Sequence, residues 1–435
     1  MQNQTKIEKL LKKLPIQRKI DLSLSRINRL NKDLNINLEK LQNKTITCAG
    51  TNGKFSTLFF LRNIFEAAGY KIDLFTSPHI SRYQERYVFG SKEISENELF
   101  ELFVEVSKVN GSKPITIFEF LTAAFFYYSD KNSNSHVVLA ENGLFNAADS
   151  VTSIGYHLQK ILTACSLDHL NWLPAGKKTI DQVIVEKTKN INCSSIIVSK
   201  QSDNQILNKI KKNLKNNPAK QIIFSQNYSF VINKDGFLYK DEHGTIQLPK
   251  PKLLGKEHQI ANFCCAIAAV RNLKRKFKIT NEHIVQGITS IKTIKGRLSI
   301  LDKGRLKQLA PSNTIIYDIA SNPGAAKVTS KYLNTLDKNK KIYCIAGMLH
   351  NKIHDGFFAE LKQADISEIL AIDIPNNNNC IKKENLKKII EKIGIKSRTS
   401  NSIQEAIKYV ANKDKTSTIL ILGSIFLIGE VLNLN

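Results

Sequence analysis

Apolar residues along this chain gather into short, often β-branched runs, separated by longer stretches in which they recur every three or four positions. The runs fall at 44–49, 71–75, 136–140, 161–165, 195–199 and 221–224. The helical periods fill the gaps at 57–68, 95–109, 118–129, 179–190 and 203–215. Runs bounded by polar turns predict strands, and the longer periods predict amphipathic helices. Their alternation predicts a parallel or mostly parallel sheet with helices on both faces.

The ends of this series differ in pattern. Residues 4–42 predict a helical start, and 228–248 a small β excursion turning at Lys234-Asp235-Gly236. A helix from His258 to Arg275 follows. After Lys295-Gly296-Arg297 a second α/β series begins, with strand patterns at 313–317, 341–346, 367–372 and 417–422. The expected fold is thus an α/β domain over 1–297 with a mostly parallel sheet, and a smaller Rossmann-like α/β domain over 298–435. A length of 435 residues also exceeds what one hydrophobic core usually supports.

Composition narrows the class. The seven cysteines are odd in number and show no C-x-x-C spacing, so they read as buried thiols of a reducing compartment. Met1 to Lys13 is charged and periodic, without the apolar centre of a signal peptide. Ile419 to Ile428 is too short to span a bilayer and is broken by Gly423 and Ser424. The expectation is a cytoplasmic protein that does not engage a membrane. A formal charge of +26 invites a nucleic-acid partner. The lysines, however, are spread among Ile and Asn with no block of five like charges, which argues against one. A basic surface still suits polyanionic small molecules.

The strongest chemical signal is C-A-G-T-N-G-K-F-S-T at Cys48–Thr57, between a predicted strand and a predicted helix. Glycines let backbone N–H groups turn inward, the helix N-terminus adds positive potential, Lys54 adds a full charge, and a following hydroxyl can reach Mg²⁺. The spacing departs from the Walker pattern: Cys48 sits where its first glycine belongs, and Phe55 separates the lysine from Ser56 and Thr57. An ordinary Gly-Asn-Gly turn is the plainer reading. Thr76-Ser77-Pro78-His79 follows the second predicted strand, where Ser77 is either a metal oxygen or a turn hydroxyl before proline. Glu141 ends the third predicted strand, a place from which a carboxylate suits Mg²⁺. Asp168-His169 follows another strand. Glu186-Lys187 lies late in a helix, where a solvated ion pair is the simple reading.

Together these residues resemble the folylpolyglutamate synthase/dihydrofolate synthase family, which is related to the Mur peptide ligases. The likeness rests on A-G-T-N-G-K at 49–54, T-S-P-H at 76–79, Arg82, Glu85 and Arg86, and T-I-F-E-F-L-T at 116–122. It continues in order through Glu141-x-Gly143-Leu144, Leu167-Asp168-His169, Glu186-Lys187 and L-L-G-K-E-H-Q-x-x-N at 253–262. Gly296-Arg297, Asp318-x-Ala320-x-Asn322-Pro323, Gly347-Met348-Leu349 and Gly423-Ser424 complete it.

The resemblance implies a Mur-ligase-like ATP-binding domain followed by a glutamate-ligase domain. Thr51, Asn52, Gly53, Lys54 and Ser56 would cradle ATP. Ser77, Glu141 and His169 would hold Mg²⁺, and Lys187 matches the lysine that the family carbamylates. Asn262, Arg297 and Asp318 match nucleotide-contacting positions, while Thr116, Phe118 and Asp149 match the pterin side. Lys54, Lys187 and His169 would carry the catalysis. The implied activity joins L-glutamate to dihydropteroate, to a folate, or to both, through an acyl phosphate, in a monomeric enzyme.

The sequence departs from the family pattern where Phe145-Asn146-Ala147 replaces a glycine-rich run with an arginine. Phe55 replaces a small residue, Ser321 a histidine, and Asn351 an aspartate. A Mur-like ligase with another acceptor, or a catalytically decayed ATP-binding protein, is the alternative.

Overall fold

The structure, a computed structural model, describes residues 2–16, 22–249, 257–291 and 293–435. It divides into two compact units, Met1–Cys165 with Thr179–Lys292, and Ser166–Lys178 with Thr293–Asn435.

The first unit is built on an eight-stranded sheet. Its strands are β1 (Thr45–Ala49), β2 (Ile72–Phe75), β3 (Tyr87–Phe89), β4 (Lys92–Glu93), β5 (Val137–Glu141), β6 (Gln159–Leu162), β7 (Ser195–Val198) and β8 (Lys220–Ile223). They lie in the order β4-β3-β2-β5-β1-β6-β7-β8, antiparallel only at β2-β3 and β3-β4. The central strands are buried throughout, as expected where helices cover both faces of a parallel sheet. One face packs on the aromatic helix Ile117–Lys131, and the other on Lys54–Ala67 with Glu257–Asn272. A three-stranded antiparallel sheet, β9 (Tyr228–Asn233), β10 (Gly236–Asp241) and β11 (Gly244–Pro249), forms the β excursion.

The second unit carries a six-stranded sheet of β12 (Ser299–Ile300), β13 (Thr314–Tyr317), β14 (Ile342–Ala346), β15 (Ile366–Ala371), β16 (Ser397–Thr399) and β17 (Thr418–Leu422). Its order is β12-β13-β17-β14-β15-β16, with only β12-β13 antiparallel. The expected doubly covered α/β architecture is present in both units. The short strands β3, β4, β12 and β16 went unpredicted: all four are only two or three residues long, and β4 and β16 are also polar. Six of the seven cysteines are buried and all seven are free thiols. No helix among the described residues is long and apolar enough to cross a membrane.

Candidate active site

The order β2-β5-β1 sets three loops side by side, because parallel neighbours end at one edge. The loop after β1 begins the phosphate cradle. The amides of Thr51 and Asn52 both donate to Ala164 O beyond β6, at 2.9 and 3.1 Å. Gly53 then takes a left-handed turn, φ 92°, into the helix Lys54–Ala67. A Cβ here would lie 2.5 Å from Asn262 Oδ1, so glycine is required by conformation and by space. This places Asn262 directly on the phosphate loop. Leu253–Lys256 of the motif leading to it lie outside the described residues.

Lys54 folds back over the loop. Its ammonium donates to Gly50 O and Thr51 O, each at 3.2 Å, and stands 3.9 Å from Glu141 Oε1. Glu141 is buried, and its Oε2 accepts the Ser77 N–H at 3.1 Å. Ser77, Glu141 and Lys54 therefore converge. Phe55 stacks on Phe59 one helical turn along, with ring centroids 6.1 Å apart, so its bulk is accommodated along the helix. Cys48 is buried with its Sγ 3.9 Å from Lys54 O, and Ser56 is buried at the helix start.

Lys187 corrects the expectation of a solvated pair: it is 1% exposed. Its ammonium donates to Gly50 O and to Leu144 O, each at 2.9 Å, so it ties the phosphate loop to the loop after β5. The Phe145 ring covers it, 5.6 Å from Nζ to centroid. Asn146 holds the same helix, Ile180–Thr188. Its backbone N–H donates to Glu186 O at 3.1 Å, and its side-chain amide to Lys189 O at 2.8 Å. The residues that replace a glycine-rich run thus seal the C-terminal end of the helix that carries Lys187.

Asp149 closes this loop, accepting from the N–H groups of Leu144 at 2.8 Å and Val151 at 3.0 Å. Burial pushes its carboxyl upward, against these hydrogen bonds and the nearby charge of Lys160. Phe118 lies over Gly143, where a Cβ would come within 2.6 Å of its ring. Thr116 caps its helix through a reciprocal box with Glu119, which Arg26 also holds at 3.0 Å. Thr116, Phe118 and Asp149 all belong to this part of the first unit.

Other residues here were given no role by the sequence reading, although His79 and Arg86 stood in its motifs. Arg86 donates through Nε to His79 Nδ1 at 2.8 Å. Burial, then the Arg86 charge, pulls His79 down to about 3, so it stays a neutral acceptor. Lys160 is fully buried and bonded to Asn142. Its signal was a lysine at the start of an apolar run, which displaced the expected strand to 161–165.

The second unit holds the other expected residues. His169, in a left-handed turn at φ 59°, donates its N–H to Asp168 Oδ1 at 2.8 Å. Lys352 bonds the same oxygen at 2.9 Å, and Asn322 bonds Oδ2 at 3.3 Å. Burial would raise the Asp168 carboxyl, but the charges of His169 and Lys352 and their hydrogen bonds bring it to about 2. Asp318 accepts from Leu298 N and Ala320 N, both at 2.6 Å, and so fixes the turn that carries Arg297.

Among the described residues, no three His, Cys, Asp or Glu side chains cluster as a metal group. The donors on the phosphate side are a serine hydroxyl and a carboxylate, hard oxygens that suit Mg²⁺. The narrow Gly53–Asn262 approach, the helix N-terminus after Gly53 and Lys54 suit a nucleotide's phosphates.

Residues 304–425 match the family model of the Mur ligase glutamate ligase domain. The Escherichia coli (strain K12) dihydrofolate synthase/folylpolyglutamate synthase is 26% identical over 416 residues, 95% of this chain and 91% of that protein. Escherichia coli FolC in complex with DHPP and ADP superposes with a TM-score of 0.83 at 24% identity, covering 99% of this chain and 96% of that one. Mycobacterium tuberculosis folylpolyglutamate synthase complexed with ADP gives 0.82 at 21% identity, covering 100% and 98%. The likeness to dihydrofolate synthase/folylpolyglutamate synthase runs nearly end to end, and the match to the Mur ligase glutamate ligase domain falls within the second unit.

Proposed function

We propose that this chain is an ATP-dependent ligase that joins L-glutamate to dihydropteroate, to a reduced folate, or to both. The observation that carries the reading is the convergence of Lys54, Glu141 and Ser77 at the phosphate loop, with Lys187 buried beside it. Relatives support it: one solved structure of a bifunctional family member has Mn, AMPPNP and L-glutamate bound.

A carboxylate does not condense with an amine unaided, because hydroxide leaves poorly. In the reaction proposed, an acceptor carboxylate oxygen attacks the γ-phosphorus of ATP and the bond to ADP breaks. The glutamate nitrogen then attacks the acyl carbon, phosphate leaves, and the amine proton passes to solvent. Phosphoryl transfer of this kind rests on positioning and charge neutralisation, not on a protein nucleophile. Lys54 and the N-terminus of its helix would neutralise the phosphates, with Thr51, Asn52 and Gly53 shaping the loop around them. Ser77 and Glu141 would hold Mg²⁺, which supplies further charge stabilisation when bound. Phe118 and Asp149 would shape the pterin side. His169, Arg297 and Asp318 keep the roles that the resemblance gives them. The enzyme would act as a cytoplasmic monomer on small molecules; its free thiols support the reducing compartment.

The test is ADP release with ATP, Mg²⁺ and L-glutamate, run with dihydropteroate, with tetrahydrofolate and with neither, while mass spectrometry follows the glutamate adduct. ADP and adduct formed only with a pterin support the proposal and name the acceptor. Tight ATP binding without turnover on either pterin overturns it.

A further inference from the structure

Lys160 is the second residue of a central strand and is completely buried. A lysine there is costly, since a desolvated ammonium must be repaid by close partners. Its Nζ donates to Asn142 Oδ1 at 2.7 Å. Asn142 follows Glu141 directly, donates its backbone N–H to Cys48 O at 2.9 Å, and passes its side-chain N–H to Phe145 O at 3.3 Å. The other charge acting on Lys160 from this loop is that of Asp149. Residues 142–149 read Asn-Gly-Leu-Phe-Asn-Ala-Ala-Asp, so Asp149 is the loop's only charged side chain. The loop brings no cation of its own, and Lys160 meets it from within the sheet.

We infer that Lys160 is a positioning residue for the acceptor, an internal cation that fixes the 142–149 loop through Asn142 and balances Asp149. This rests on the ligase reading, which sets the acceptor against that loop. Lys187 anchors the loop's Leu144 carbonyl from a separate helix. The two lysines therefore have separable tasks: Lys187 joins this loop to the phosphate loop, and Lys160 sets its shape. Burial holds the Lys160 ammonium down to about 8, which leaves it charged at neutral pH.

The test uses the full chain with Lys160→Met, of similar length but uncharged. KM is measured separately for the pterin acceptor and for ATP, and hydrogen exchange is followed at the amides of Leu144, Asn146 and Asp149. The expected result is an acceptor KM raised at least about tenfold with the ATP KM within about twofold, and faster exchange confined to the loop. Asn142→Val is expected to do the same, and the double variant to be no worse than either single one. If Lys160→Met does not fold, Lys160→Gln, which keeps a donor and removes the charge, carries the same measurements. An unchanged acceptor KM and unchanged loop exchange overturn the inference. Equal losses for both substrates with exchange raised across the whole first unit also overturn it, since that marks a merely structural lysine. If wild type turns over no pterin while the loop still loosens in Lys160→Met, the ligase reading fails and the hold of Lys160 on the loop stands.

Discussion

Replacing Gly143 by alanine isolates the contact between the 142–149 loop and Phe118. Gly143 does not have a positive φ, so alanine suits its backbone and the effect comes from space alone. The added methyl would lie 2.6 Å from Phe118 Cζ and 2.8 Å from Cε1. Carbon atoms prefer separations of about 3.5–4.0 Å, so the ring must retreat by roughly 1 Å. It is not free to do so everywhere, because fully buried Phe75 lies 6.0 Å away, centroid to centroid. Overpacking of this kind costs about 1–3 kcal/mol. If the acceptor needs the ring where it now stands, that cost is roughly a 5- to 150-fold rise in acceptor KM at 1.4 kcal/mol per decade. The ATP KM should hardly move, since Gly53 and Lys54 are untouched. The assay is ADP release against acceptor and against ATP, with a thermal melt beside it. Adding Phe118→Leu to Gly143→Ala should recover the melting temperature without recovering acceptor binding. A Gly143→Ala enzyme with acceptor KM within twofold of wild type would show that Phe118 does not line the acceptor site.

Three further outcomes follow from the same geometry. Lys54→Ala should cut ATP turnover roughly 10²- to 10³-fold and leave the melting temperature nearly unchanged; near-normal turnover would remove the phosphate-loop assignment. Asn146→Ala deletes the side-chain hydrogen bond to Lys189 O and should cost about 1 kcal/mol of stability in urea unfolding. Asp168 has its carboxyl lowered from 3.8 to about 2 in the folded protein, which makes its contribution stabilising above 3.8 and lost as pH falls toward 2. That contribution is worth about 2 kcal/mol, so the stability gap between wild type and Asp168→Asn should close between pH 5 and pH 2, and a constant gap would contradict it.

The sequence exposed the parts of this fold that repeat. Each central strand of the first sheet lies within two residues of an apolar run, because burial on both faces demands one. What it withheld was strand order. Nothing local to residues 72–75, 45–49 or 137–141 says that β5 lies between β2 and β1. That order is why Ser77, Glu141 and the phosphate loop share one edge. The short outer strands escaped for the opposite reason: edge residues such as Lys92, Arg398 and Ser299 carry no apolar pattern. Ser166–Lys178 shows the same limit at the scale of domains. Its grouping with the second unit is made by Asp168 meeting Asn322 and Lys352, residues more than 150 positions away.

The two buried lysines show how far a charge symbol can mislead. In the sequence Lys187 reads as half of a solvated pair, and Lys160 falls just before the expected strand. Both are buried and both ammoniums are bonded, Lys187 to two loop carbonyls and Lys160 to the Asn142 side chain. The altered loop bears on the choice between a working and a decayed site. Decay by drift should leave cavities and stranded polar groups where glycines were lost. Here Phe145 fills space over Lys187, Asn146 bonds the helix end twice, and Asp149 takes two amides. The one buried side-chain polar atom of this loop without a partner is Asn146 Oδ1. A loop rebuilt this fully still presents Phe118 and Asp149 together, and that coherence argues for a changed means of holding the acceptor over the loss of the acceptor altogether.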